Sequence, residues 1–398
     1  MKRLFTATLM LSIFFFEAGA QKINMPVVIS DAEKQTQLLL KNVSKIRETN
    51  PELVSPRTLV NDTLKMVTSR DWTSGFFPGV LWFLFEYTGK DNWKEAAMKH
   101  TALIEREKMN GVTHDMGFKI YCSFGSGLRL TNSSEYKDVI IQSAKTLSTR
   151  FRPITGTIRS WDHSQQKWAY PVIIDNMMNL ELLFAATRLT GDSSYYQIAV
   201  THANTTMKNH FRPDNSSYHV VEYDTLTGMV VKKTTHQGYS DASAWSRGQA
   251  WGLYGYTMCY RETKDPEYLK MAEKIAAYML NHPNMPSDLV PYWDYNAPGI
   301  PNEPRDVSAG AILASGLLEL ANYSKQKNKY RNAATKIIES LTRSYRSPIG
   351  ENKGFILVQS TGSKPSNSEV NVPLNYADYY YLEALLRSDD SRKKNKNK

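Results

Sequence analysis

Two aspartates in the 398-residue chain stand in surroundings that suit acid–base chemistry. Asp175 lies between Ile173-Ile174 and Met177-Met178, and such apolar neighbours exclude water and disfavour a charged carboxylate. Asp115 could raise the pKa of Asp175 further by like-charge repulsion if the two lie close together. A carboxyl with a raised pKa can donate a proton and activate water near neutral pH. Each aspartate could instead cap the start of a helix.

Other polar and aromatic groups recur in comparable places along the chain. The loops at 70–79, 113–118, 173–180 and 236–251 each precede or open an apolar segment and carry acidic, cationic or indole side chains. Arg247 offers a planar, bidentate fork for the carboxylate of an acidic sugar, although it could equally pair with a structural carboxylate. The shared placement of these groups predicts a single carbohydrate site.

The composition is typical of a globular protein, since 41% of the residues are hydrophobic and 22% are charged. The formal net charge is +10, but Lys2, Arg3 and the five basic residues of 392–398 supply most of it. A nucleic-acid partner is therefore not indicated. Two cysteines cannot build a disulfide framework or a thiolate zinc site.

The two ends of the chain are predicted to lie outside the folded domain. Residues 1–20 combine a basic start, an apolar run and small residues near position 20, which is the pattern of a cleaved signal peptide. We therefore expect export, with the bacterial periplasm as destination and a mature chain from about Gln21. No later stretch is long and apolar enough to span a membrane. Residues 21–388 are predicted to form one domain, followed by a basic, disordered tail at 389–398.

The helices that would position these side chains are predicted from a pattern that recurs along the sequence. Apolar, aromatic-rich segments alternate with amphipathic ones across short polar turns, so each pair predicts a helical hairpin. The amphipathic, outer helices are predicted at 32–46, 93–104, 136–147, 195–207, 268–280 and 330–341. The apolar, inner helices are predicted at 75–87, 117–130, 175–189, 248–261, 309–321 and 376–386.

Six such hairpins predict an all-α fold, an (α/α)6 barrel in which the inner helices begin at one mouth. An open helical solenoid is the alternative, and the aromatic inner helices favour the closed ring. Strand signals are few and short, near 219–223 and 229–233.

Long sequence blocks resemble a known enzyme family across about residues 60 to 387. The chain looks like family 88 of the glycoside hydrolases, the unsaturated glucuronyl hydrolases, in DWTSGFFPGVLW, HDMGF, IIDNMMNLELL, HQGYSDASAWSRGQAWGLYG and NVPLNYADYYYLEALL. The resemblance implies an (α/α)6 barrel that needs no metal or organic cofactor. It also implies removal of a 4,5-unsaturated uronic acid from lyase-generated oligosaccharides by hydration of the C4=C5 vinyl ether.

The same resemblance assigns roles to particular residues. Asp175 is implied as general acid and base, Asp115 as its partner and His219 as support for the reacting centre. The resemblance also implies that Trp161 and Trp251 stack on a sugar ring and that His236 and Gln237 contact the sugar. His114, which adjoins Asp115 and could orient it or line the same pocket, and Arg247 are added as substrate-binding residues because of their chemistry. The remaining candidates for substrate binding are Ser363, Lys364 and Ser366. The last three lie in a Ser-rich segment that could contact a sulfate or the adjacent sugar, or could be only a surface loop.

Two other readings remain open from the sequence. An unsaturated rhamnogalacturonyl hydrolase would resemble the chain around Asp175 but not in the block around Asp115. A non-catalytic, glycan-binding toroid would keep the aromatic side chains and Arg247, yet it would have no use for an aspartate within apolar residues. The expected partner is an unsaturated oligosaccharide, with no nucleic acid and no membrane, and we expect a monomer or a homodimer.

Overall fold

The computed structural model describes residues 23–389, and twelve α-helices dominate this part of the chain. They are α1 Met25–Thr49, α2 Phe76–Thr88, α3 Asp91–Ala102, α4 Ser126–Thr131, α5 Ser134–Ser148, α6 Leu180–Thr190, α7 Ser193–Asn209, α8 Ser246–Thr263, α9 Pro266–Asn281, α10 Val307–Leu320, α11 Lys327–Ser344 and α12 Asn375–Ser388. A π-helical segment, Gly117–Gly125, leads into α4, and a 3-10 segment, Ile174–Asn179, leads into α6. Two further 3-10 segments are Glu105–Met109 and Asn352–Gly354.

The inner helices form a closed ring. In chain order, α2 packs against the π-helical segment, which packs against α6, and α6, α8, α10 and α12 follow. The ring closes because α12 packs against α2. The predicted (α/α)6 barrel is therefore confirmed, and the open solenoid is wrong.

The burial of each layer follows from its sequence. Every residue of the inner helix α10 is buried, as expected for a helix that is largely apolar on all sides. The outer helix α11 buries only one face, whose members recur at three- and four-residue intervals, and its other faces are polar. At the α6–α7 turn, Gly191 takes a left-handed conformation with φ 77°, and the Asp192 side chain caps α7 at Ser194 N. Strict alternation of the layers makes every inner helix begin at the same mouth.

Short antiparallel strands surround that mouth. They are β1 Ser55–Val60, β2 Thr63–Val67, β3 Phe151–Arg152, β4 Thr157–Ile158, β5 Pro171–Ile173, β6 Val220–Tyr223, β7 Val230–Thr234, β8 Ser360–Ser363 and β9 Ser368–Val372. β5, β6 and β7 form one sheet, whereas the other strands pair as two-stranded hairpins. The strands predicted near 219–223 and 229–233 are confirmed as β6 and β7. β3, β4 and β5 have only two or three residues, which is too few for a sequence signal, whereas β1, β2, β8 and β9 are at least as long as β6 and were missed.

Two of the predicted inner helices are irregular where they carry the aspartates. The segment predicted as helix from 117 begins as a π-helix, and the one predicted from 175 begins as a 3-10 turn. The two starts are in close contact, because a Cβ on Gly117 would lie 2.6 Å from Asn179 Cα. The Asn179 side chain also accepts a hydrogen bond from Phe118 N at 3.1 Å. The two irregular helix starts therefore pack tightly against each other.

The remaining predictions concern the two ends of the chain and membrane-spanning helices. The predicted signal peptide lies outside the described residues, as does the basic tail beyond residue 389. Among the helices between residues 23 and 389, none is long and apolar enough to cross a membrane.

Candidate active site

Asp175 lies in the 3-10 turn that follows β5, at the mouth where the inner helices begin. Only 8% of the residue is exposed, and this burial raises the pKa of its carboxyl to about 7. The positive charge of Arg247 and the backbone N–H of Asp175 act against burial, whereas Asp115 raises the pKa further. The sequence predicted that burial among apolar neighbours and the charge of Asp115 would raise the pKa of Asp175, and the structure agrees with both causes.

His219 stands just before β6 and points at Asp175. Its Nδ1 accepts hydrogen bonds from the backbone N–H groups of His236 and Gln237, both at 3.1 Å. Because Nδ1 is an acceptor, the ring proton belongs on Nε2, which lies 3.8 Å from Asp175 Oδ2. Burial lowers the pKa of His219 well below its usual value, so the ring is neutral at pH 7.

Three buried polar atoms around Asp175 have no hydrogen-bond partner among the described residues. They are Asp175 Oδ2, His219 Nε2 and Trp251 Nε1. Buried polar groups in proteins are nearly always hydrogen-bonded, so an unpaired set calls for a functional reason. His219 Nε2–H and a protonated Asp175 can each donate to a bound substrate, whereas the Trp251 N–H acts on the Asp175 carboxyl.

A second buried aspartate shows what separates Asp175 from a structural carboxyl. Burial raises the pKa of Asp378 in α12 to about 7 as well. Both of its oxygens, however, accept backbone hydrogen bonds, from Ile356 N at 3.0 Å and from Leu357 N at 2.8 Å. The free oxygen of Asp175, and not its pKa alone, makes it the candidate proton donor.

Asp115 is held beside the site by its sequence neighbours. Its Oδ2 accepts a hydrogen bond from Thr113 Oγ1 at 2.6 Å, and its Oδ1 lies 3.3 Å from His114 Nε2. His114 is 2% exposed and donates its backbone N–H to Ser160 O. Burial lowers the pKa of His114, so the histidine orients Asp115 as a neutral ring. Asp115 thus lies near enough to Asp175 to raise the pKa of its carboxyl, and His219 lies 3.8 Å from that carboxyl.

Arg247 differs from the sequence expectation. Its buried guanidinium donates from Nη1 to Asp306 Oδ2 at 2.5 Å and to Thr361 O at 2.6 Å, and from Nη2 to Gly362 O at 2.6 Å. It therefore pairs with a structural carboxylate, which is the alternative that the sequence left open. Nε has no partner among the described residues. Binding of a substrate carboxylate would have to use Nε and the second Nη2 hydrogen, and it stays a prediction.

Trp251 does not present an exposed ring face on which a sugar could stack. It is fully buried and packs against Phe118 and Tyr380, with ring centroids 5.1 and 5.4 Å apart. The expectation that it stacks on a sugar ring is therefore wrong. Its indole N–H instead acts on Asp175, where it helps to lower the carboxyl pKa.

Trp161 remains a candidate for stacking. It is half-buried, and one face lies on the ring of His163 at 5.0 Å between centroids. Its indole nitrogen has no hydrogen-bond partner among the described residues, and the ring of His236 lies 5.7 Å away. Trp161 and His236 therefore form an aromatic wall next to His219.

The β8–β9 hairpin contains the Ser-rich segment and is hydrogen-bonded to Arg247 and Gln237. Gly362 O accepts hydrogen bonds from Arg247 and, at 2.9 Å, from Gln237 Nε2. Beyond it, Ser363 Oγ bonds to Ser366 Oγ at 3.1 Å, and Lys364 lies in the same turn. Contact between these three residues and a substrate stays a prediction.

Sequence reasoning missed two groups at this mouth. Asp306 caps α10 and binds Arg247, and the Asp306-Val307-Ser308 pattern at a helix start could have revealed the cap but not the pairing. Arg57 binds Asp71 at 2.7 Å and Glu369, which joins β1, the loop before α2 and β9. No local signal connects residues about 300 positions apart.

A cavity of about 470 Å³ lies toward the other mouth, where the inner helices end, and none of the predicted site residues lines it. Its charged side chains pair with one another, for example Arg129 with Glu86 at 2.7 Å and Arg387 with Glu383 at 3.2 Å. Within residues 23–389, no three His, Cys, Asp or Glu side chains are grouped to hold a metal ion. That the enzyme needs no cofactor stays a prediction.

A closed double ring of helices whose mouth holds a protonatable aspartate, neutral N–H donors and aromatic walls defines an (α/α)6-barrel enzyme of carbohydrate hydrolysis. Comparison with known proteins agrees. The model of Glycosyl Hydrolase Family 88 matches residues 46–390. An unsaturated glucuronyl hydrolase of Formosa agariphila is 49% identical over 370 residues, which cover 90% of this chain and 92% of that protein.

Solved structures give the same result. A crystal structure of an unsaturated glucuronyl hydrolase specific for heparin has a TM-score of 0.87 and 44% identity, covering 92% of this chain and 98% of that one. A mutant of the Streptococcus agalactiae unsaturated glucuronyl hydrolase complexed with dGlcA-GalNAc6S has a TM-score of 0.78 and 31% identity, covering 93% of both chains.

The chain therefore belongs to glycosyl hydrolase family 88. It is an enzyme, a glycoside hydrolase of the unsaturated glucuronyl hydrolase type. The alternatives of a non-catalytic toroid and of a rhamnogalacturonyl hydrolase are set aside.

Proposed function

We propose that this enzyme removes a 4,5-unsaturated uronic acid from the non-reducing end of lyase-generated glycosaminoglycan-type oligosaccharides. The similarity to unsaturated glucuronyl and chondroitin disaccharide hydrolases supports this substrate class. The observation that carries the chemistry is a single one: Asp175 combines a pKa of about 7 with an unpaired carboxyl oxygen at the mouth of the barrel.

The reaction begins with proton transfer to carbon. Protonated Asp175 donates its proton to C4 of the C4=C5 vinyl ether, and the positive charge that results is shared between C5 and the ring oxygen. The Asp175 carboxylate then takes a proton from the water that adds at C5, which restores the acid. The resulting hemiketal opens to a C5 ketone and leaves the ring oxygen as a hydroxyl on C1. This C1 hemiacetal collapses to an aldehyde as the glycosidic bond breaks and its hydroxyl proton passes to the leaving sugar oxygen. One water is consumed and the aglycone leaves as a free sugar.

The neutral donors around Asp175 support both halves of this cycle. His219 Nε2–H and Trp251 Nε1–H face the carboxyl and can stabilise the carboxylate that exists between the two proton transfers. A charged imidazolium would lower the pKa of Asp175 and leave it without its proton at pH 7. Burial prevents this by keeping His219 neutral.

The proposal is tested with lyase-generated unsaturated disaccharides, whose ultraviolet absorbance disappears when the double bond is hydrated. Wild-type enzyme should remove the absorbance, and Asp175→Asn should stop the reaction. Asp378→Asn is the matched control, because Asp378 has a similar burial and pKa but no free oxygen. Unchanged turnover by Asp175→Asn would exclude it as the proton donor.

The parent polymer can be narrowed by a panel of such disaccharides that differ in linkage and in sulfate position. The panel should contain heparin- and chondroitin-derived members, because the names of the relatives mention both. The ratio of kcat/KM values across the panel identifies the preferred substrate.

We also propose that residues 1–20 direct export to the periplasm and are removed. The basic start and apolar run of this segment support the proposal. Cell fractionation should recover the protein in the periplasm, and N-terminal sequencing should find a start near Gln21. An intact Met1 in the recovered protein would contradict it. Light scattering of the mature protein distinguishes the predicted monomer from a homodimer.

A further inference from the structure

A fully buried ion pair lies near the proton donor. Trp245, whose ring contacts the Arg247 guanidinium, also packs on His219 at 4.5 Å between ring centroids, and His219 Nε2 lies 3.8 Å from Asp175 Oδ2. Arg247 and Asp306 are 1% and 0% exposed, and their contact joins the first turn of α8 to the start of α10. Asp306 Oδ2 accepts from Arg247 Nη1 at 2.5 Å. Its other oxygen caps α10, accepting from Ser308 Oγ at 2.5 Å and from Ser308 N at 3.1 Å. The carboxylate therefore holds the guanidinium against a rigid helix start.

The guanidinium is fixed on its faces as well as at its edge. It lies between the rings of Trp245 and Tyr376, with its central carbon 4.6 and 5.4 Å from their centroids. Its fixed positive charge is the largest influence that opposes burial in setting the pKa of Asp175. A positive charge near a carboxyl lowers its pKa, so Asp175 would lose its proton at a lower pH if the charge of Arg247 were not balanced.

Three other groups act on Asp175 or lie beside it. Asp115, from the loop before the π-helical segment, is negative, and His219, before β6, is neutral. Trp251 of α8 contributes only an uncharged N–H. Among these groups, Arg247 is the one with a permanent positive charge.

We propose that Asp306 is a positioning residue that keeps Asp175 protonated at neutral pH, by neutralising Arg247 and by holding its guanidinium away from the donor carboxyl. This inference rests on the proposed role of Asp175 as general acid. It assigns Asp306 a part in the reaction without contact with the substrate.

The test replaces Asp306 by neutral residues. Asp306→Asn removes the charge, and Asp306→Ser removes it while keeping a side chain that caps helices well. Because the reaction needs protonated Asp175, activity falls as the pH rises through its pKa. In both variants this alkaline limb of kcat/KM should move down by about one pH unit. At pH values above the wild-type midpoint, kcat/KM should fall about tenfold, while its plateau value at acid pH should change by less than about threefold.

Two further variants separate this role from helix capping. Asp306→Glu keeps the charge and should restore the wild-type limb even if the plateau is lower. Ser308→Ala removes the hydrogen bond from Ser308 Oγ to Asp306 but keeps the ion pair, so it should lower the melting temperature and leave the limb in place. A uniform loss of activity at all pH values, with no movement of the limb, would show that Asp306 only caps α10 and would overturn the proposal.

A readout that does not depend on turnover distinguishes failure of this inference from failure of the proposed function. In protein labelled with carbon-13 at the aspartate carboxyls, the signal that Asp175→Asn abolishes belongs to Asp175. Its titration midpoint should move down by about one unit in Asp306→Asn and Asp306→Ser. An unchanged midpoint overturns the inference, whereas turnover by Asp175→Asn overturns the proposed function.

Discussion

The donor carboxyl is expected to destabilise the folded enzyme at the pH where it works, so Asp175→Asn should be more stable than wild type. The folded pKa is about 7, and the ordinary value is 3.8. Between these values the unfolded chain is ionised at this position while the folded chain still holds the proton. Stability from this group is therefore complete below about pH 4 and is lost as the pH rises through 7.

The magnitude follows from the shift. Each pKa unit corresponds to 1.36 kcal/mol, so a shift of about three units amounts to about 4 kcal/mol at pH 7 and above. Asparagine has nearly the shape of the protonated acid and does not titrate. The difference in the free energy of unfolding between Asp175→Asn and wild type should therefore grow by about 4 kcal/mol from pH 4 to pH 8.

Urea unfolding of both proteins at each pH unit from 4 to 8 measures this difference, and other titrating groups cancel between them. Asp378→Asn is the matched control, because the pKa of Asp378 is raised to the same value. Its pH-dependent gain should be similar, but it should lose about 1–3 kcal/mol at every pH since one backbone N–H loses its acceptor. It should keep its activity. A stability difference for Asp175→Asn that does not change with pH would refute the reasoning.

Four further outcomes are expected. His219→Asn keeps an acceptor for the two backbone N–H groups but removes Nε2–H, so kcat/KM should fall about 100-fold with little change in melting temperature; equal losses of both would point to a structural role. Asp115→Asn removes a charge that raises the pKa of Asp175, so a pH profile should show the alkaline limb at lower pH, and an unmoved limb would contradict the coupling. Gly117→Ala places a Cβ 2.6 Å from Asn179 Cα, so thermal unfolding should show a loss of about 1–3 kcal/mol of stability and kinetics should show a reduced kcat/KM. Wild-type values would mean that the helix starts at 117 and 175 can separate freely. Lys364→Ala should lower kcat/KM for sulfated relative to unsulfated disaccharides, and an unchanged ratio would remove Lys364 from the substrate site.

The sequence alone was sufficient for the barrel, because its signals are local. Three of these signals can each be recognised within about twenty residues: the recurring spacing of apolar side chains in α11, the largely apolar sequence of α10 and the Gly191-Asp192 turn. The raised pKa of Asp175 could also be predicted from local sequence, because Ile173, Ile174, Met177 and Met178 are apolar and are buried with it.

Other features were decided only when distant segments met. The partners of Arg247 lie 59 and more positions away in the chain, so no local pattern shows that its guanidinium is already bound. The tautomer of His219 depends on two backbone N–H groups contributed by the loop after β7. The orientation of Trp251 follows from packing against Phe118 and Tyr380. Residue types determine what a side chain can donate or accept, but the partner it uses is set by which chain segments the closed ring brings together.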